Sequence, residues 1–138
     1  MATLNIFNAL TADLPNKVHD LSSDQLTVAL TNVAPVATDS VLADLTEIDY
    51  TNLSSRNITT TSSTQTGGTY SLVLQDLTLT ASGAVPEFRY VVVYNSTPAG
   101  NNLIGWYDNG DGVTLADGET FTIDFDDAQT LIEIAAAA

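Results

Sequence analysis

Apolar and polar residues alternate along short stretches of the chain. Residues 25–31 and residues 119–126 place an apolar side chain at every second position, which is the pattern of a strand with one buried face. These runs are rich in Thr, Val, Ile, Leu, Tyr and Phe and are separated by Gly, Asn, Asp, Ser and Pro. The pattern predicts an all-β fold: a single-domain antiparallel β-sandwich, jelly-roll or Ig-like, over residues 1–138.

Other segments suggest how the sheets are arranged. In residues 69–82 the alternation slips by one position at Gln75-Asp76, which predicts either one bent strand with a bulge or two strands. Residues 87–95 are apolar on both faces after Arg89, so we expect a central strand there. Two more strands are predicted, over residues 102–108 and 130–135.

Three segments fit the strand pattern poorly. We expect at most one short N-terminal helix, a turn around residues 15–20, because Pro15 has to lie near a helix start or interrupt it. The Ser/Thr-rich residues 51–69 predict a mobile loop or a polar edge strand ending at Gly67-Gly68. The terminal alanines, residues 135–138, are expected to form a frayed tail.

Length and composition limit the class of protein. A chain of 138 residues can bury one substantial core, and its lack of cysteine excludes disulfides and thiolate metal sites. We find no signal peptide and no apolar run near the roughly 18 residues that a membrane span needs. The sequence therefore predicts a soluble, folded domain.

The charge balance disfavours two classes of partner. Only Lys17, Arg56 and Arg89 oppose seventeen acids, for a net charge of −14. Nucleic-acid binding and attraction to anionic membranes both depend on Lys and Arg, so neither nucleic acid nor membrane is an expected partner.

The acidic, glycine-rich residues 106–120 raise the question of a calcium site. An EF-hand-type loop starting at Asp108 fails, because its third and fifth positions are Gly110 and Gly112. An irregular calcium site using Asp108 and Asp111 stays open. The favoured interpretation is two tight turns, at residues 109–112 and 117–118, because Asn-Gly and Asp-Gly tolerate positive φ.

No residue pattern indicates catalysis. Asp124 and Asp126 lie on the face opposite the apolar residues Phe121, Ile123 and Phe125 and are expected to face water. His19 is the only histidine, and a structural or surface role is the interpretation we favour for it. Trp106 and Tyr107 are candidates for an aromatic platform that stacks on sugar rings, although aromatic residues of a sandwich are more often core. We predict no enzyme activity, no catalytic residue, and no cofactor apart from the calcium candidate.

Four segments carry a family resemblance. "HDLSSDQLTVALTNVAPVATDSVLADLTEI" (19–48), "SLVLQDLTLTASG" (71–83), "FRYVVVYN" (88–95) and "LIGWYDNGDGVTLADGETFTIDFD" (103–126) resemble, in the same order, small virion proteins of tailed bacteriophages. The chain differs from the glycine-rich turn usual after the "TEI" element, where it has "DYTNLSSRNITTT".

The resemblance implies a structural role in a phage particle. The expected function is that of a capsid decoration (cement) protein, which binds the shell of major capsid protein and stabilises it by mass action. It implies a homo-oligomer, with a trimer favoured, on the capsid surface of the virion and in the host cytoplasm before assembly. The alternatives are a tail or fibre component and a carbohydrate-binding module on the virion surface.

Overall fold

A computed structural model describes residues 3–125 and 131–136 of the chain. The protein is an all-β single domain, as the alternation predicts. The strands are β1 (Asn5–Ile6), β2 (Leu26–Thr31), β3 (Thr60–Thr66), β4 (Thr69–Leu74), β5 (Leu77–Thr80), β6 (Val85–Asn95), β7 (Leu103–Leu115), β8 (Thr120–Ile123) and β9 (Ile132–Ala135). A short helix α1 (Leu10–Asp13) and one 3₁₀ turn (Leu42–Asp44) complete the described elements.

The strands form three antiparallel sheets. A four-stranded sheet has the order β1-β7-β6-β2, a three-stranded sheet has the order β3-β4-β9, and β5 pairs with β8. Side chains from all three sheets meet in the main core, which includes Leu30, Leu74, Leu79 and Ile123. The four-stranded sheet thus packs against the other two in a sandwich-like arrangement.

The four-stranded sheet is buried on its other face as well. A second cluster gathers Phe7, Ala29, Val92, Tyr94 and Leu103 there. All six residues of β2 are buried, including Thr27, which hydrogen-bonds to Asn57 and Ser96, and Thr31. The expectation that β2 has one solvent-facing side is wrong, because the N-terminal segment and residues 42–45 cover that side.

Other strand predictions are confirmed. The phase slip at Gln75-Asp76 separates β4 from β5, which belong to different sheets. Strand β6 is central, with β2 and β7 as neighbours. Of the two alternatives for residues 51–69, the structure has a polar edge strand, β3, which ends at a turn formed by Gly67 and Gly68.

Two boundary predictions need correction. Helix α1 lies before Pro15 and not around residues 15–20, of which residues 15–17 form a turn; the ring of Pro15 has no N–H to continue a helix. The C-terminal tail does not fray from residue 135, since Ala135 pairs with Thr69 and Ala136 donates its N–H to the Gly68 carbonyl. Residues 137–138 lie outside the described residues.

The first predicted turn, at residues 109–112, lies inside β7. Between the pairs Phe88–Val113 and Tyr90–Asp108, β7 advances five positions while β6 advances two. The three extra residues form a large bulge, in which Gly110 has a φ of 90°. The sequence correctly predicts that the chain bends at residues 109–112, but β6 is long enough to pair with β7 on both sides of the bend. The second turn, at Asp117-Gly118, is present.

No helix within residues 3–125 and 131–136 is long and apolar enough to cross a membrane.

Candidate functional site

The two calcium candidates lie at the bulge of β7. Asp108 accepts two hydrogen bonds from the Arg89 guanidinium, at 2.8 and 3.1 Å, and a third from the Gly110 N–H at 2.8 Å. The Arg89 hydrogen bonds, followed by that from Gly110, lower the pKa of Asp108 below its ordinary value. Asp111 is exposed. Both carboxylate oxygens of Asp108 are engaged, and the described residues contain no group of three or more His, Cys, Asp or Glu suited to a metal ion.

The two aromatic candidates do not form a common platform. Trp106 and Tyr107 are consecutive in β7, so they point to opposite faces of the sheet. Tyr107 is 5% exposed in the main core, where burial raises its pKa to about 12. Trp106 packs in the second cluster, with its ring centroid 4.5 Å from that of Phe7. Its expected inward packing is present, although only in part, because the side chain remains half-buried.

The sequence predicts that Asp124 and Asp126 face water. Asp124 is exposed, in keeping with the predicted solvated face, and Asp126 lies outside the described residues.

His19 is the centre of a buried polar cluster. Its side chain has no exposed surface, and its Nδ1 lies 3.0 Å from the side-chain nitrogen of Asn95. That Asn95 nitrogen also donates to Asp24 at 2.6 Å. On the other side of the ring, Nε2 lies 3.9 Å from a carboxylate oxygen of Asp13, which accepts a hydrogen bond from Asn102. The cluster thus ties residues 13–24 to β6 and to the start of β7.

The partners of Asn95 determine the tautomer of His19. The Asn95 side-chain oxygen accepts a hydrogen bond from the Thr97 N–H, and its nitrogen is the donor to Asp24. The same nitrogen therefore donates to Nδ1 of His19, which places the ring proton of neutral His19 on Nε2. No hydrogen-bond partner satisfies Nε2 among the described residues. Burial lowers the pKa of His19, while Asp13 and Asp24 oppose that shift in part.

An open groove of about 760 Å³ lies beside this cluster. Its lining includes the apolar residues Leu14, Pro15 and Leu21, together with Tyr70 and Ile134. Its surface is therefore mainly apolar.

The groove also contains His19, Ser22 and Ser63, the residue types of a hydrolytic site. The Ser22 hydroxyl donates to Asp20, and the Ser63 hydroxyl is hydrogen-bonded to that of Tyr70 at 2.7 Å. Neither serine is hydrogen-bonded to His19, whose Nε2 is buried. The described geometry does not assemble a nucleophile with its base.

Residues 32–37 form an exposed apolar loop. Val33 and Val36 are 57% and 54% exposed, while Pro35 between them is buried. Several backbone groups fix the loop: the Val36 N–H donates to Asp39, and the Ala37 carbonyl accepts from the Asn8 N–H. Nothing in the residue pattern distinguished this loop from a connecting segment, because exposure of Val33 and Val36 depends on the tertiary packing of Pro35.

Comparison of the chain with models of known protein families, with curated proteins and with solved structures gave no match.

Proposed function

We propose that this protein is a non-enzymatic structural component of a tailed-phage particle, and that it is a capsid decoration protein bound to the major capsid protein shell. The proposal begins from the resemblance of four sequence segments to small virion proteins. The role requires a stable folded domain with a contact surface, and it requires no catalytic residues.

The apolar loop of residues 32–37 is the observation that carries the proposal. Exposed apolar side chains grouped on an ordered segment are typical of protein–protein contacts. Because Pro35 and the hydrogen bonds of the loop already fix its conformation, docking through Val33 and Val36 costs little ordering entropy. The loop contains no charged residue, so the acidity of the chain does not oppose burial there.

The overall charge suits the outer surface of a shell. A net charge of −14 keeps free copies soluble and gives no attraction for the packaged genome. A protein that binds the assembled shell, and not its separate subunits, stabilises the shell by mass action.

A tail or fibre component is the second role consistent with the resemblance, and it would use the same loop on a different part of the particle. The carbohydrate-binding alternative has less support, because Trp106 and Tyr107 lie on opposite faces of their sheet.

Binding of purified protein to phage capsids that lack it tests the proposal. We expect cosedimentation with capsids, and a loss of at least tenfold in affinity for Val36→Asp, since about 1.4 kcal/mol corresponds to a tenfold change. The control is Thr114→Asp, which adds the same charge at an exposed position of β7. Equal capsid binding by wild type and Val36→Asp would show that the loop is not the contact surface. No binding by either protein would exclude the shell-binding role.

A further inference from the structure

Strand β3 is an unprotected sheet edge. It spans seven residues, Thr60–Thr66, and among the described residues it has a neighbouring strand, β4, on one side only. Proteins usually protect such edges with charged residues, prolines, short strands or bulges. β3 has no charge and no proline, and its irregularity is confined to the start, between Thr60 and Ser62.

The edges of the four-stranded sheet, β1 and β2, and the β9 edge are better protected. β1 has only two residues, and β9 has four, including Glu133. The outer side of β2 is bridged by Asn57 and Glu47.

The backbone of β3 leaves hydrogen-bonding groups directed outward. Gly67 and Gly68, with φ values of 59° and 86°, make the two-residue turn that joins β3 to β4. In such a hairpin the flanking pair, Thr66 and Thr69, exchanges both hydrogen bonds, and the pairs alternate from there. The N–H and C=O groups of Ser63 and Gln65 therefore point away from β4.

The charge distribution indicates which partner fits this edge. Residues 50–75, which include β3 and β4, contain no Asp or Glu, and this is the longest acid-free run in the chain. The next longest, residues 88–107, lies mostly in the buried strands β6 and β7. Two copies that each carry −14 repel each other, and β3 adds no charge of its own to that repulsion at the paired edge.

We propose that β3 pairs antiparallel with β3 of a second copy about a two-fold axis. Pairing joins the two three-stranded sheets into one continuous six-stranded sheet. Ser and Thr side chains then lie opposite one another, where their hydroxyls form cross-strand hydrogen bonds. The contact is self-complementary and gives dimers, so a trimer would need a different surface. This inference is independent of shell binding, because the β3 edge does not include residues 32–37.

Sedimentation equilibrium over a wide range of protein concentration tests the pairing, using variants at Gln65. Gln65→Pro removes an outward N–H that β4 does not use, whereas Gln65→Ala keeps it. Both variants lose the hydrogen bond from the Gly68 N–H to the Gln65 side chain, so their difference reports the outward donor. We expect dimers for wild type and Gln65→Ala and monomers for Gln65→Pro. Monomeric wild type, or dimeric Gln65→Pro, would overturn the inference.

A charge test covers the case in which Gln65→Pro does not fold. Thr64 is exposed in the middle of the regular part of β3, so Thr64→Lys and Thr64→Glu each place like charges across the paired strands. Each variant alone should be monomeric, and an equimolar mixture of the two should form heterodimers. Failure of the mixture to associate, or dimers of both single variants, would contradict β3–β3 pairing. Shell binding by a monomeric variant would show that the proposed function does not need β3–β3 pairing.

Discussion

The Nδ1 atom of His19 accepts a hydrogen bond from the side-chain amide of Asn95, across 3.0 Å and 76 positions of sequence. Neither side chain is exposed. The contact holds the segment between α1 and β2 against the end of β6, and that segment also forms one wall of the apolar groove. The stability of the fold should therefore depend on the protonation of His19, and so on pH.

The first prediction concerns that pH dependence. Because burial lowers the pKa of folded His19 below 6.5, the unfolded chain binds a proton more readily than the folded chain. The contribution of neutral His19 is therefore complete above pH 6.5 and is lost as the pH falls below it, by up to about 1.4 kcal/mol per pH unit. Urea unfolding at several pH values between neutral and mildly acidic measures this slope.

His19→Gln is the matched control, because glutamine does not titrate and its side-chain oxygen can accept from Asn95. We expect a shallower loss of stability on acidification for this variant than for wild type. Equal slopes for the two proteins would show that His19 does not titrate differently on folding.

The second prediction concerns Asn95 and Asp24. Asn95→Asp replaces the donor that lies 2.6 Å from the Asp24 carboxylate with a second carboxylate, at a fully buried position. The free energy of unfolding should fall by about 3 kcal/mol, as expected for an uncompensated buried charge. Chemical denaturation measures the loss.

A double variant in which the amide and the carboxylate change places is the control for this pair. In the double variant with Asp24→Asn, the donor lies on residue 24, and part of the lost stability should return. Losses that simply add in the double variant would mean that the two side chains do not interact.

The third prediction concerns Gly105, where β7 pairs with Ile6 of β1. A Cβ added at Gly105 would lie 2.8 Å from the backbone oxygen of Asn5 and 2.8 Å from a Leu4 methyl carbon. Gly105→Ala should destabilise the fold by about 1–3 kcal/mol, because a backbone atom of β1 has to move. Thermal unfolding measures the effect. Gly112→Ala is the control, since its added Cβ meets only the exposed Glu87 side chain, whose displacement costs one exposed hydrogen bond from Asn32 and moves no backbone atom. An equal effect at both positions would contradict the close approach of β1.

The fourth prediction concerns calcium. Arg89 and Gly110 occupy the oxygens of Asp108, so excess chelator or added calcium should leave the melting temperature unchanged. Arg89→Ala should change the melting temperature little, because the ion pair is exposed to solvent. A rise in melting temperature on addition of calcium, abolished by Asp108→Asn, would contradict this prediction and show that Asp108 binds calcium.

The strands could be predicted from the sequence where the alternation of apolar and polar residues lies within the strand itself. The break between β4 and β5 is visible as a phase slip at Gln75-Asp76, and the two-sided burial of β6 as a continuous apolar run. The burial of the outer face of β2 could not be predicted, because Ala29 is covered by Phe7 and residues 42–45, and Thr27 contacts Asn57 and Ser96 from elsewhere in the chain. These covering segments have no periodic pattern of their own.

The candidate sites depended even more on tertiary structure. Asn95 on β6, the hydrogen-bond partner of His19, is 76 positions away in the sequence, so the burial of His19 has no local sequence signal. Asn109-Gly110 has the composition of a hairpin turn, yet β6 pairs on both sides of it and makes it a bulge. Turn composition marks where a chain can bend, but the length of the partner strand determines whether the strand ends there.

The location of the protein in an electron-microscopy map of the phage particle tests the central claim most directly. We predict density for the β-sandwich at repeated positions on the outer surface of the capsid, with residues 32–37 against the major capsid protein. Density confined to the tail, or particles that lack the protein altogether, would contradict the proposed decoration role.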